Sequence, residues 1–278
     1  MRAATRASLG RYSLIAYLVL FFAYLESPLF MIVLTSFNQG ASVVFPPSGF
    51  STQWYGALWN LMRDAPGIKP GLLAALWTSI WLGIVSMIGA VVAGVLAAVA
   101  LQRHRFRGRE LLRQCFLLPL LFPQVVTGIG LVLWFSAIGG VPAWVRLVIG
   151  HLILTLPYVV VSTTASLETL DARLEEAAMN LGATPVAAFW HITLPGIRSG
   201  VIAGAIFAWL TSFSNFTITY FLFSGEMQPL PPWLYEFIQY YVDPSVAALS
   251  TFVVLITLAM LLIVTRLAAL GRLMGLRR

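Results

Sequence analysis

One acid and a pair of small residues, Glu176-Ala177-Ala178, are followed by Gly182 and, after nine further residues, by Ile192, Leu194 and Pro195. The chemistry these types permit is recognition. A helix carrying adjacent alanines lets another surface approach closely, and a glycine after it favours a sharp turn. A second group, Ser212, Ser214, Asn215 and Thr217, is polar but lies inside an apolar run. Such residues either line a path for a solute or hydrogen-bond neighbouring helices. Glu26, followed by Pro28, is the one acid well inside the first apolar run. It either faces a path or sits near an interface or against a partner chain. His151 and His191 have no companions at metal-ligand spacing, so no metal site is expected. His191 reads as a docking or packing residue. No Asp pair, HExxH or Ser–His arrangement lies at membrane depth, which argues against an intramembrane enzyme. No G-x-x-x-x-G-K-[ST] loop is present, so this chain is not expected to hydrolyse ATP itself.

The elements that must position these residues are membrane helices. Hydrophobic residues make up 59% of the 278 positions and charged residues 10%, against roughly 25% charged in soluble domains. A bilayer core needs about 20 apolar residues per helix. Six stretches qualify: about 13–37, 72–101, 111–138, 141–167, 200–223 and 246–270. Gly139, Gly140 and Pro142 mark the turn between the third and fourth. The expectation is an all-α polytopic membrane protein forming a single transmembrane domain over 1–278. The first apolar run is too long for a signal-peptide core and reads as a retained span. Pro119, Pro123 and Pro157 are expected to kink their helices. Cys115, the single cysteine, is expected as a small core residue and excludes an internal disulfide.

The net charge of +7 reflects arginines between the spans rather than a nucleic-acid surface. Arg2, Arg6 and Arg11, Arg103 to Arg113, Arg173 and Arg198, and Arg266 to Arg278 fall on one side. The opposite side receives Arg63, Lys69 and Arg146. The positive-inside rule therefore places both termini and the Glu176 segment in the cytoplasm. Two outer loops, about 38–71 and 224–245, are rich in Pro, Gly and aromatics. The first is expected to fold against the membrane surface and the second to form a surface-lying or re-entrant element.

Leu174 to Leu181 consists of good helix formers, and Thr184-Pro185 can open a second short helix. Ala187 to Ile192 then offers an apolar face, and Pro195 is expected to stop the element before the fifth span. A helix lying on lipid headgroups would be rich in Lys and Arg. Here Glu168, Asp171, Glu175 and Glu176 oppose Arg173.

The pattern E-A-A, Gly182, Ile192-x-Leu194-Pro195 resembles the EAA loop, about 168–199 here, of permease subunits of binding-protein-dependent ABC importers. The resemblance implies the type I importer permease fold, with six spans and a cytoplasmic coupling helix between spans four and five. Glu176, Ala177, Ala178, Gly182, Ile192, Leu194 and Pro195 would then couple to the ATPase subunit. It further implies an ABC ATPase dimer that binds ATP and Mg, a second homologous permease (a heterodimer is favoured), a periplasmic binding protein and the lipid of a bacterial inner membrane. No nucleic acid and no cofactor in this chain are expected. RHRFRGRE after the second span, SFSNFTITYFLFSG in the fifth and DPSVAALST before the sixth are similar to the spermidine/putrescine-type branch. Branches for opines and aminophosphonates share much of the pattern. One departure stands out. That branch carries an acid near the position of Ser214-Asn215, which are neutral here. Either the partner permease supplies the acid or the solute is not a polycation. The rival reading, a secondary transporter driven by an ion gradient, calls for inverted repeats and midplane acids, and Glu26 alone is a poor basis for it.

Overall fold

Long runs of apolar helix formers leave the backbone one way to satisfy its polar groups inside a bilayer, and the chain takes it. The computed structural model describes residues 2–63, 71–225, 227–241 and 243–275. Lys69, Arg277 and Arg278, three of the charges used for orientation, lie outside these residues. The elements are α1 Arg2–Thr35, α2 Gln53–Arg63, α3 Leu72–Arg103, α4 Arg109–Leu121, α5 Gln124–Ile138 and α6 Ala143–Thr169. After them come α7 Arg173–Asn180, α8 Pro185–Ala188, a π-helical turn Phe189–Thr193 and α9 Leu194–Gly196. The chain continues through α10 Arg198–Ser214, α11 Thr217–Leu222, α12 Leu230–Tyr240 and α13 Ser245–Gly275.

Among the described residues, four helices are long and apolar enough to cross a membrane, or up to six if each of two bent pairs counts as one span. The third expected span is not straight. α4 and α5 meet at 107° across Phe122 and Pro123. Proline cannot donate the hydrogen bond that would continue α4, and it opens α5 instead. Pro119 and Pro157, by contrast, lie inside α4 and α6. α4 has no buried residue, so Cys115 is exposed rather than in a core.

The chain divides into two compact units. One comprises the described residues of 1–66 and 237–259. Within it, the loop between α1 and α2 folds around Asn38. The Asn38 Oδ1 accepts from the backbone N–H and the hydroxyl of Ser48 at 3.1 and 3.0 Å, and its Nδ2 donates to the Ser42 carbonyl at 2.8 Å. Trp54 Nε1 donates to the Asn38 carbonyl at 2.7 Å. The buried Asn38 thus closes the turn with its side-chain amide and docks α2 through its backbone carbonyl.

The other unit comprises the described residues of 67–236 and 260–278. Its centre is α3, α6 and α10. Ala90, Val95, Ala98, Val159, Leu167, Ile197 and Ala208 pack there in one cluster. Leu82, Phe135, Leu147, Leu154, Ile218 and Leu222 form another, joining α5 and α11 to α3 and α6. Small residues permit this proximity, since apolar lipid gives helices little hydrophobic reason to associate. A methyl group on Gly204 of α10 would lie 2.8 Å from the Val159 Cα of α6. The second outer loop holds α12, whose first backbone N–H donates to Ser79 Oγ of α3 at 2.8 Å.

Candidate functional site

The segment between α6 and α10 is built by local rules. Asp171 Oδ1 accepts from the Arg173 N–H at 2.9 Å, and Glu175 and Glu176 occupy the first turn of α7, the favourable end for acids. Gly182, at φ +95°, makes a left-handed turn that other residues resist. Thr184 caps α8 by accepting from the Ala187 N–H at 3.2 Å, with Pro185 in its first turn. Pro195 stands one residue before the end of the element, close to where its type placed the stop. The backbone stays helical through Gly196 and turns at Ile197 (φ −95°, ψ 5°), with a bend of 72° into α10. The π-helical turn explains this. The Leu194 N–H reaches back to the Phe189 carbonyl, and this wider turn accommodates a proline that has no N–H of its own.

What holds the segment is Glu175, next to the acid singled out from the sequence. Its Oε1 accepts from Arg103 Nη2 at 3.0 Å, Arg103 Nε at 3.2 Å and Thr193 Oγ1 at 2.9 Å. Arg103 is the last residue of α3 and also reaches the Leu170 carbonyl at 3.5 Å. The pair is 17% and 16% exposed. One carboxylate therefore ties α7 to the end of α3 and to the turn that feeds α10.

Ala188, Thr193 and Ile197 are buried beneath the segment, with Ile192 and Leu194 partly covered. Glu176, Ala177, Gly182 and Pro195 are exposed and Ala178 is half-exposed. Leu181 is 90% exposed, Val186 66% and Trp190 59%. His191 is exposed and its Nδ1 lies 2.9 Å from the Ala187 carbonyl. A cavity of about 380 Å³ opens beside them, bordered among others by His104, Glu176, Met179, Pro185 and Phe189. Large apolar side chains left outward on a segment between spans mark an interaction surface.

The polar group at 212–217 occupies a helix break. α10 ends at Ser214 and α11 begins at Thr217. Asn215 spans the gap. Its Oδ1 accepts from the Ile218 and Thr219 N–H groups at 2.9 and 3.4 Å, and its Nδ2 donates to Gln124 Oε1 at 2.9 Å. Thr219 donates to the Asn215 carbonyl at 2.6 Å and lies 3.0 Å from His151 Nε2. His151 Nδ1 is 2.7 Å from Ser212 Oγ. The network Gln124–Asn215–Thr219–His151–Ser212 thus joins α5, α6, α10 and α11.

Ser212 and Asn215 are buried in this network, while Ser214 is exposed and bonds to its own helix at Leu210. Thr217 is half-buried. Glu26 is exposed on α1, in the other compact unit. The sequence reading passed over Gln124, Arg103 and Glu175, and it read His151 only against metal binding. Apart from Thr193, 18 residues from Glu175, their side-chain partners across helices lie 61 to 91 residues away in the chain, so no local pattern announces them.

Comparison with known proteins follows the same lines. Residues 90–272 match the family described as "Binding-protein-dependent transport system inner membrane component". The putrescine transport system permease protein PotI of Escherichia coli K12 is 33% identical over 248 residues, covering 86% of this chain and 84% of PotI. The spermidine/putrescine permease PotC of the same organism is 29% identical over 254 residues, covering 91% and 93%. In structure, the chain is similar to a subunit of a bacterial ABC transporter that imports the acidic polysaccharide alginate. The TM-score is 0.73 at 16% identity, with 95% and 96% of the two chains covered.

Proposed function

Because the chain belongs to the family of binding-protein-dependent transport system inner membrane components, as a multi-pass ABC importer permease subunit, we propose that it forms half of a translocation pathway and couples that pathway to a separate ATPase. The whole chain acts as one permease domain of six spans, with α4–α5 as the third and α10–α11 as the fifth. Both termini and the α7–α9 segment face the cytoplasm. The observation that carries the coupling assignment is the Glu175 anchor. It leaves α7 and α8 exposed on the outer side and fastens their inner side to α3 and α10. An ATPase dimer gripping Leu181, Val186 and Trp190 would move both membrane helices together as a rigid body. Glu176, Ala177, Ala178 and Gly182 shape the gripped surface, and Ile192, Leu194 and Pro195 carry the movement into α10. ATP and Mg belong to the ATPase, a second homologous permease completes the path, and a periplasmic binding protein delivers the solute.

The solute is a small organic amine of the polyamine class. Similarity to PotI and PotC over most of the chain supports this. Ser214, at the exposed face of the helix break, and Glu26 are the pathway-lining candidates. Ser212 and Asn215 take part by holding the break in shape. The test replaces Glu176 or Gly182 with arginine and follows both assembly with the ATPase and ATP-driven uptake. Both should fall. Survival of both overturns the coupling assignment, and uptake that follows the proton gradient at constant ATP overturns the importer mechanism.

A further inference from the structure

Three rings meet beyond the break in the fifth span. Phe216 stacks on Tyr220 with centroids 5.2 Å apart, and Tyr235 of α12 lies 5.2 Å from Phe216 and 5.8 Å from Tyr220. All three remain partly open, at 37%, 43% and 43% exposure. The backbone beside them, at Asn215 and Phe216, is not helical, and the hydroxyl-bearing Ser214 is exposed next to it. Irregular backbone at membrane depth is tolerated where it is buried in protein or lines a water-filled space. Asn215 is buried in protein, and the open ring faces lie next to it.

The charges of the segment itself have one sign, while Arg146 of α6 is engaged with Ser224 Oγ at 2.8 Å. Between Arg198 and Arg266 the sequence holds no lysine, arginine or histidine, and three acids, Glu226, Glu236 and Asp243. Asp243 is occupied in capping α13 through Ser245, and Glu226 lies outside the described residues. Glu236 follows Tyr235 on α12, is half-buried, and has neither an ion pair nor a hydrogen bond to its side chain among the described residues. Ring faces attract cations through their quadrupole, and a carboxylate without a partner does the same.

We propose that Phe216, Tyr220, Tyr235 and Glu236 form a site for an organic ammonium group, reached by the solute on the outer side of the Ser214–Phe216 break. The site rests on the permease reading above. It provides a third answer to the missing acid at Ser214-Asn215: the carboxylate stands on α12, outside the fifth span, and the rings replace a charge within it. α10 has 17 residues, so at 1.5 Å per residue the break lies about 25 Å from the start of that helix, in the outer half of a bilayer about 30 Å thick.

The experiment uses the complete importer in proteoliposomes, with labelled putrescine and spermidine as the solutes. Tyr220→Leu and Tyr235→Leu keep apolar bulk but remove the ring face, and each should slow uptake about fivefold, the size of a cation–π contact at a partly exposed site. Tyr220→Phe and Tyr235→Phe should stay within about twofold. Stepwise fluorination of Tyr220, which leaves its shape nearly constant, should lower the rate in graded steps, and this decides the matter even if a leucine variant folds poorly. Glu236→Gln should slow both amines, spermidine more. Leucine variants at the wild-type rate, or phenylalanine variants as slow as leucine, overturn the site. So does an importer that moves a neutral or anionic solute and no amine, which leaves the permease reading standing. Failure of the wild-type chain to assemble with its ATPase would instead strike at that reading.

Discussion

Two interruptions of helix carry this molecule, and they are fastened with opposite chemistry. The α7–α9 segment is held by an ion pair, Arg103–Glu175, supplemented by Thr193. The Ser214–Phe216 break is held by neutral groups alone, Gln124, Asn215, Thr219, His151 and Ser212. The reason is the medium. An ionised pair at the end of a span keeps partial contact with water, here 17% and 16% exposure, and its desolvation is modest. The same pair buried within a span would pay a heavy desolvation cost. Amides and hydroxyls fix a break there at far less expense. Both regions turn polar anchors inward and large apolar side chains outward. Between spans such exposure calls for a protein partner, whereas beside the break it suits a path for the solute.

The comparison can be broken at four places. Gly182→Val should have the largest effect. At φ +95° a β-branched residue costs on the order of 2–3 kcal/mol, and the turn that presents Leu181 to a partner is lost. Uptake should drop more than tenfold, with thermal scans of the purified chain showing the loss of stability. Glu175→Ala comes next, at about 2 kcal/mol, because it strands the Arg103 guanidinium partly buried. A double-mutant cycle with Arg103→Ala should return most of that cost as coupling. A coupling near zero would mean the pair does not hold α7 to α3.

Asn215→Ala should cost about 1.5 kcal/mol, through the lost cap on α11 and the orphaned Gln124. Ionic strength separates the two fasteners. Raising salt should shrink the Glu175→Ala effect and leave the Asn215→Ala effect unchanged, since screening acts on charges. Equal salt sensitivity would erase the distinction drawn between them. Thr184→Ala, at about 1 kcal/mol, is the smallest. It should fray α8 without moving α7, visible as faster amide exchange confined to 185–193.

Much of this was legible along the chain. The helix start at Thr184-Pro185, the turn at Gly182 and the turn between spans three and four at Gly139-Gly140 follow from side chains acting on their own backbone. The apolar runs follow from composition. Pro195 marks the stop to within a residue: the element ends at Gly196 with a bend of 72° before α10, although the π-helical turn beside it is not legible in the sequence. Cys115 misled, because an apolar run does not reveal whether it is covered by protein. The motif singles out Glu176, which is exposed, whereas the anchoring of its neighbour Glu175 to Arg103 and Thr193 came only from the fold.

The sequence by itself determined where helices form, where they break and which positions are polar. Only the tertiary structure decided that Glu175 meets Arg103, that Asn215 meets Gln124 and that Tyr235 meets Phe216 and Tyr220. Dihedral preference and hydrophobic patterning act over a few residues. The partner of a polar or aromatic side chain is set by which helices come to lie side by side, and that follows from packing summed over the whole bundle.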